Sequence, residues 1–498
     1  MRIAKLGIPV PPGFSLNISI CEEYYRNGGN LPRDVPDLLR QGIAFIEAST
    51  GLTFGGRKPL LVSVRSGAPV TMPGVMETLL NVGLNRETLR RLMFLTGNPR
   101  FSWDCYRRLM ENFGELVFSH DAGQYRSLLK DAMKRTGVMD EVELESSSLK
   151  RLAEEYEKIF LAGARKIPED VYEQLELAVV AVLQSWMNPR AQAFRRMNLV
   201  KNARGTAVTV QAMVYGNIGP RSGAGVAFTR NPWAGENELL LDFKFGAQGE
   251  DVVSGARSAV TQRELLETMP QVDHELHTVG RKIESHFKDM QDIEFTVQEG
   301  KLYILQSRDG KRSPLAALRI AVELCQEGII SRQEALERLR EVDIESISIQ
   351  KVISHDAPLA AGISASSGVA SGRIAFTGEK AERFSADGSV ILVREMVTPD
   401  DIQGITICAG ILTALGARTS HAAVVARQMG KVCIVNCTGL EFDVPNHKCR
   451  LGGRELSEGD EITLDGNAGL VYLDHEKVKV LYEKPLALIE VVKSWSVI

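Results

Sequence analysis

Residues 292–308 constrain the fold more than any other stretch of the chain. Asp292-Ile293-Glu294-Phe295-Thr296-Val297 alternates polar and apolar side chains, Gln298 to Lys301 reads as a turn, and Leu302 to Arg308 alternates again. A period of two on both sides of a turn specifies a β-hairpin with one buried face. Asp292, Glu294 and Thr296 share one face; Ile293, Phe295 and Val297 share the other. On the return strand Gln306 and Arg308 lie together. A two-residue loop at Glu299-Gly300 would set Glu294 opposite Leu305. A three-residue loop or a bulge sets it opposite Gln306, and Asp292 opposite Arg308. For the pairs to converge, the expectation is a three-residue loop, or a bulge between Gln298 and Leu302. Two carboxylates on one strand face suit a Mg²⁺-nucleotide, because Mg²⁺ takes few carboxylates plus phosphate oxygens. The plain alternative is a surface hairpin with solvated charges.

The chain has 498 residues, enough for roughly three domains of about 150 each. Its 59 basic and 63 acidic residues leave a net charge of −4, which argues against a general nucleic-acid binder. No apolar run approaches the ~20 residues of a membrane helix, and the N-terminus lacks a signal-peptide core. Seven cysteines, an odd and scattered set, fit a reducing compartment, so the expected location is cytoplasmic.

Around the hairpin the patterns change in blocks. Leu60 to Val64 reads as a buried strand that delivers Arg65 and Ser66 into a small-residue loop, Gly67 to Gly74. From about 86 to 187 the periodicity is helical, with Val171, Leu175, Val179, Val182 and Trp186 on one stripe and Pro168-Glu169-Asp170 as a first turn. This block is expected to be a packing insertion. Strands return at Ala207 to Val214 and Leu239 to Gly249, with a glycine-rich stretch, Gly216 to Gly225, between them. Helices are expected near 316–326 and 332–340, the second opened by a Ser331/Glu334 capping box. From Leu359 the composition shifts to Gly, Ala and Ser with short β runs at 372–377, 390–394, 410–413, 432–436 and 461–465, and a helix after Thr419. Residues 478–490 read as weakly amphipathic. The expected fold class is α/β multidomain, divided as 1–310, a 311–358 helical connector, 359–474 and a 475–498 tail.

Two further places carry candidate chemistry. Arg65, at a strand end before a Gly/Pro loop, suits phosphate contact, since arginine forks onto phosphate oxygens and Thr71-Met72-Pro73-Gly74 offers backbone amides. In Leu415-Gly416-Ala417-Arg418-Thr419-Ser420-His421-Ala422-Ala423, Thr419 or Ser420 is a suitable N-cap, which places His421 in the first helical turn. The helix dipole there disfavours imidazolium and attracts an anion, while Ala422 and Ala423 leave room for a large partner. A capping or surface histidine is the plain alternative. Cys433, Cys437, His447 and Cys449 match no usual zinc spacing and read as buried thiols. Arg190, Arg195 and Arg196 read as a solvated helix face.

Taken together, several segments resemble the pyruvate, phosphate dikinase family: 6–14 (LGIPVPPGF), 60–85, 216–232, 246–257, 289–312, 419–431 (TSHAAVVARQMGK) and 456–473. They run in one order over nearly the whole chain. The resemblance implies an ATP-grasp nucleotide-binding domain with inserted helices, then a swivelling phosphohistidine domain. It implies that Arg65 contacts nucleotide phosphates and that Asp292, Glu294, Gln306 and Arg308 form the Mg²⁺-ATP site, with Glu294 and Gln306 nearest the metal. His421 would be phosphorylated from ATP and phosphate, with release of AMP and pyrophosphate. Ser420 stands where the related phosphoenolpyruvate synthases carry cysteine.

Three departures qualify what is expected. The family's Gly-Gly-Lys-Gly segment, whose lysine grips ATP, has no counterpart before Gly7. Leu415-Gly416-Ala417-Arg418 replaces the usual Arg-Gly-Gly-Met and is similar to the Gly-Gly-Arg of enzyme I of the sugar phosphotransferase system. The residues beyond Asp474 are too few for a (β/α)₈ barrel of about 250, so no pyruvate site is expected here. The expectation is the ATP half-reaction, with a separate phosphoenolpyruvate- or pyruvate-binding protein as one partner. The alternatives are a non-catalytic nucleotide-binding relic and a phosphotransferase component.

Overall fold

A computed structural model describes residues 3–67, 77–197, 204–249, 251, 262–354, 356–397, 401–418, 420–437, 439–443, 448–473 and 478–495. The chain forms two compact units, one of Val10–Pro220 and one of Met1–Pro9 with Arg221–Ile498.

The 10–220 unit is a four-stranded antiparallel sheet under helices. Its strands run Gly13–Leu16, Ala207–Ala212, Val62–Gly67 and Thr78–Val82 across the sheet. The helical block expected at 86–187 is present, from Arg86–Thr96 and Pro99–Asn112 to Ser146–Ala162 and Val171–Ser185. Its stripe of Val171, Leu175, Val179, Val182 and Trp186 is buried with Val64 and Val210 in one core. The start of the last helix differs from expectation. Pro168 stays outside, and Asp170 caps the helix by accepting from the Tyr172 and Glu173 amides, because a short carboxylate reaches the orphan N–H groups better than proline can. Arg195 also departs from the solvated face expected of it: its guanidinium lies 3.9 Å from the Trp186 ring centroid and donates to the Trp186 carbonyl.

Among the described residues the other unit holds four sheets, two of them large. The first is antiparallel, in the order Lys301–Asp309, Gln291–Gln298, Gly223–Phe228, Leu240–Phe245. Its glycines have a packing reason. A Cβ on Gly225 would fall 2.4 Å from the Phe295 ring, which stacks on Phe243 at 5.9 Å between centroids. The second sheet has eight strands. Its centre is four parallel strands in sequence order, Val369–Ala375, Val390–Arg394, Gly410–Thr413 and Val432–Val435. The crossovers are Gly378–Ser385, Ile402–Ile407 and His421–Gln428. Parallel strands need such crossovers, and small residues let the helices approach. Ala423 and Ala426 are buried against Ala365, Cys433 and Val435, so Ala423 serves the core instead of leaving room for a partner.

Between the sheets in sequence lie Pro314–Gln326 and Arg332–Leu339, the second opened by the Ser331/Glu334 capping box. The C-terminal stretch differs from the amphipathic pattern expected of it. Val478–Glu483 is a strand paired with Ile349–Ser354, and only Leu486–Trp495 is helical, with Ile489 and Val492 in one core with Leu318 and Ala335. The β-branched and aromatic content of VKVLYE, given a partner strand, overrides a weak helical period. Cys433, Cys437 and Cys449 are buried thiols, and burial pushes them up to about 12, 11 and 11. His447 lies outside the described residues. No helix among the described residues is long and apolar enough to cross a membrane.

Candidate active site

The hairpin forms, and its register is the convergent one. Glu299 and Gly300 carry φ of 51° and 80°, so the turn is a two-residue one with both residues left-handed. Its tip is pinned where the Gly300 amide donates to the Arg221 carbonyl at 2.8 Å and the Glu299 amide to Ser222 Oγ at 2.9 Å. Ladder pairing runs from Lys301↔Gln298 to Ile304↔Phe295, then jumps to Gln306↔Glu294 and Arg308↔Asp292. The shift expected at the turn is therefore a bulge at Leu305, five residues beyond Gly300. A two-residue left-handed turn matches strand twist, so the extra residue is absorbed where the strand can bend.

That bulge gathers the four polar side chains. Arg308 Nε donates to Asp292 Oδ2 at 2.9 Å, and Arg308 Nη2 lies 3.2 Å from Glu294 Oε1. Gln306 stands across from Glu294. Beneath them Ile293, Phe295 and Val297 are buried, so one face is apolar and fixed while the other is half-buried and charged. Burial raises the Asp292 carboxyl above its usual range, against the pull of Arg308. Burial also opposes the Arg308 charge, but Asp292 and Glu294 outweigh it and hold that guanidinium protonated more firmly than usual. Asp292 Oδ1 is buried without a partner among the described residues.

His421 begins its helix at the carboxyl end of the parallel strand Gly410–Thr413, where open α/β sheets present their ligand-binding loops. Ser420 takes the N-cap position with an extended backbone, φ −61° and ψ 159°, but its side chain makes no capping bond. Its Oγ is buried and unpartnered among the described residues, on the side of Gly416. Gly416 has φ +138°, which a larger residue tolerates poorly. Thr419 lies outside the described residues.

Arg65 belongs to the other compact unit. It sits half-buried in the Val62–Gly67 strand of the 10–220 unit, opposite Thr209 and Thr78, and residues 71–74 fall outside the described residues. Two arginines that pattern reading left unassigned stand near the hairpin. Arg427, on the His421 helix, lies 5.4 Å from the Phe228 ring centroid, and Phe228 pairs with Asp292 in the ladder. Arg418 reaches Trp233 and Asp242. Their signal in sequence was only an unusual Arg418 and a basic residue at the end of an eight-residue helix.

Comparisons with known proteins bear on the chain as a whole. The model of the pyruvate phosphate dikinase AMP/ATP-binding domain matches residues 29–267 and 261–328. That of the mobile domain of PEP-utilising enzymes matches 386–469. The pyruvate, phosphate dikinase of Clostridium symbiosum is 42% identical over 481 residues, covering 94% of this chain and 54% of that protein. Pyruvate, phosphate dikinase 2 of Zea mays is 42% identical over 483 residues, covering 95% and 54%. The chain thus spans about half the length of the curated relatives it matches. With both domain models matched in order across a single chain, the protein belongs to the pyruvate, phosphate dikinase family.

Proposed function

We propose that this chain carries out the ATP half of a dikinase reaction: ATP, phosphate and His421 give AMP, pyrophosphate and phosphohistidine. In this reading 1–310 is an ATP-grasp nucleotide domain, and 359–474 is a phosphohistidine domain that swivels on the 311–358 connector. The observation that supports it is the hairpin register. It sets Glu294 against Gln306 and Asp292 against Arg308 on one face, in the same compact unit as the His421 helix.

The donor set fits Mg²⁺, which prefers hard oxygen ligands and few carboxylates beside phosphate. Glu294 and Gln306 would hold the ion. When bound, it neutralises phosphate charge and orients the chain of phosphoryl groups. Arg308 stays protonated between two carboxylates and is placed to meet a phosphate oxygen. Asp292 orients it through the 2.9 Å bond. Arg65 would contribute a second guanidinium to the nucleotide phosphates. His421 opens a helix whose N-terminal partial positive charge would stabilise an incoming phosphoryl group. The phosphohistidine would then serve a phosphoenolpyruvate/pyruvate site, on this or a separate polypeptide.

The test incubates pure protein with β-labelled ATP, Mg²⁺ and phosphate, and measures acid-labile label on the protein. Label is expected in the parent chain and absent in His421→Ala. Glu294→Ala should abolish Mg²⁺-dependent ATP binding while leaving the circular dichroism unchanged, because it removes a ligand and no core volume. Nucleotide binding without label would favour a non-catalytic protein. Normal Mg²⁺-ATP binding by Glu294→Ala would refute the metal assignment.

A further inference from the structure

His421 is bracketed by Arg418 and Arg427, and both side chains reach the antiparallel sheet of the same unit. The Arg418 guanidinium lies 5.9 Å from the Trp233 ring centroid, with Nη1 3.9 Å from Asp242 Oδ1. The Arg427 guanidinium lies 5.4 Å from the Phe228 centroid. Phe228 is the ladder partner of Asp292, and the Arg427 charge acts on that carboxyl. The two arginines therefore have receptors of one kind, an aromatic ring beside an aspartate.

Arg427 also acts inside its own domain. Its Nη1 donates to the Ala365 carbonyl and to the Arg418 carbonyl, each at 2.8 Å. The backbone just ahead of Thr419-Ser420-His421 thus hangs on the residue that lies over Phe228 and whose charge acts on Asp292. Arg427 Nε and Asp292 Oδ1 are both buried and unpartnered among the described residues. Buried polar atoms are almost always paired, so an orphaned donor and an orphaned acceptor of opposite charge mark a junction that tightens as the two elements close. Guanidinium suits a junction that must open and close. It is weakly hydrated and stacks on aromatic faces, so it leaves water at little cost.

We propose that Arg418 and Arg427 are positioning residues that register the His421 helix against the Asp292–Arg308 face by seating two guanidinium groups on two aromatic–aspartate receptors. This rests on His421 being the phosphoryl acceptor. It adds which groups hold the acceptor in register.

The experiment uses the full chain with spin labels at Glu382→Cys and His274→Cys, in a Cys325→Ser background, because the other cysteines are buried. The distance distribution between the labels reports docking whether or not any chemistry occurs. Arg418→Met should broaden it and cut the docked fraction about tenfold, the combined effect of a cation–π contact and a partly exposed ion pair. The rate constant for His421 labelling should fall by a similar factor with KM for ATP unchanged, and Arg418→Lys should recover part of the loss. Should Arg418→Met fail to fold, Asp242→Asn tests the same seat from the other side and should broaden the distribution in the same direction. A distribution like that of the parent overturns the proposal, as does a rise in KM at unchanged rate, which would make Arg418 an ATP-binding residue. If the parent chain takes no label at all, the reading of His421 fails. The distance measurement still decides registration: broadening supports it and an unchanged distribution overturns it.

Discussion

Replacing Arg230 by methionine should loosen the Pro270–Phe287 helix, and with it Pro314–Gln326, on the hairpin sheet. Arg230 is 0% exposed and follows the Gly223–Phe228 strand. Its Nε and Nη2 hold Glu284 at 2.9–3.2 Å, Nη1 reaches Glu323 at 2.9 Å, and Nη2 reaches Glu327 at 2.6 Å. Glu284 belongs to the Pro270–Phe287 helix, and Glu323 and Glu327 stand at the end of Pro314–Gln326. One guanidinium therefore joins a strand and two helices. Methionine keeps most of the length and removes the charge. Glu323 and Glu327 are partly exposed and turn to water, each losing under about 1 kcal/mol. Glu284 is buried and, among the described residues, keeps only Thr229 Oγ1 at 2.7 Å. Stranding such a carboxylate costs about 3–5 kcal/mol. Because the chain has several cores, a single unfolding free energy is ill-defined, and hydrogen exchange of the individual helices is the appropriate assay. At about 1.4 kcal/mol per decade, amides of the two helices should exchange several hundredfold faster or more. Adding Glu284→Gln should restore much of the protection, since the stranded charge is gone. Exchange within threefold of the parent, or a double variant no better than the single, would refute this account.

Glu115 sits in the π-turn Phe113–Val117, where burial and then Glu111 push its carboxyl up to about 7. Its folded pKa lies above the ordinary carboxylate value, so its stabilising contribution is complete below about pH 4.5 and is lost as pH rises through about 7. The urea midpoint of the parent chain should fall as pH rises from about 4.5 to 7, reflecting roughly 2 kcal/mol of lost stability after allowance for partial exposure. Glu115→Gln should flatten that slope; equal slopes would disprove the assignment. Gly416→Ala places a Cβ 3.1 Å from Val435 Cβ at φ +138°. It should cost about 1–3 kcal/mol and slow His421 labelling by displacing the 416–420 loop. An unchanged labelling rate and an unchanged melting temperature would show that the loop tolerates the strain.

Local pattern determined much of this protein. The alternation in DIEFTV fixed which side chains share a face, and the 171–186 stripe fixed a buried helix. The Ser331/Glu334 spacing fixed a cap, because each depends on residues only a few positions apart. A cap position did not guarantee a cap bond: Ser420 takes the position but turns its hydroxyl toward Gly416, where it finds no partner among the described residues. The position of the bulge was not legible. A left-handed Glu299-Gly300 turn and a bulge at Leu305 give the same pairing as a longer loop, and the choice is made by the anchoring of the tip to Arg221 and Ser222. The strand at Val478–Glu483 was hidden for the same reason, since its partner, Ile349–Ser354, lies more than a hundred residues earlier. Arg427 shows the limit most clearly. In sequence it is one basic residue at the end of a short helix. Only the tertiary structure brings it to Phe228 and Asp292, because long-range electrostatic partners are set by the packing of separate elements and leave no periodic trace in the chain.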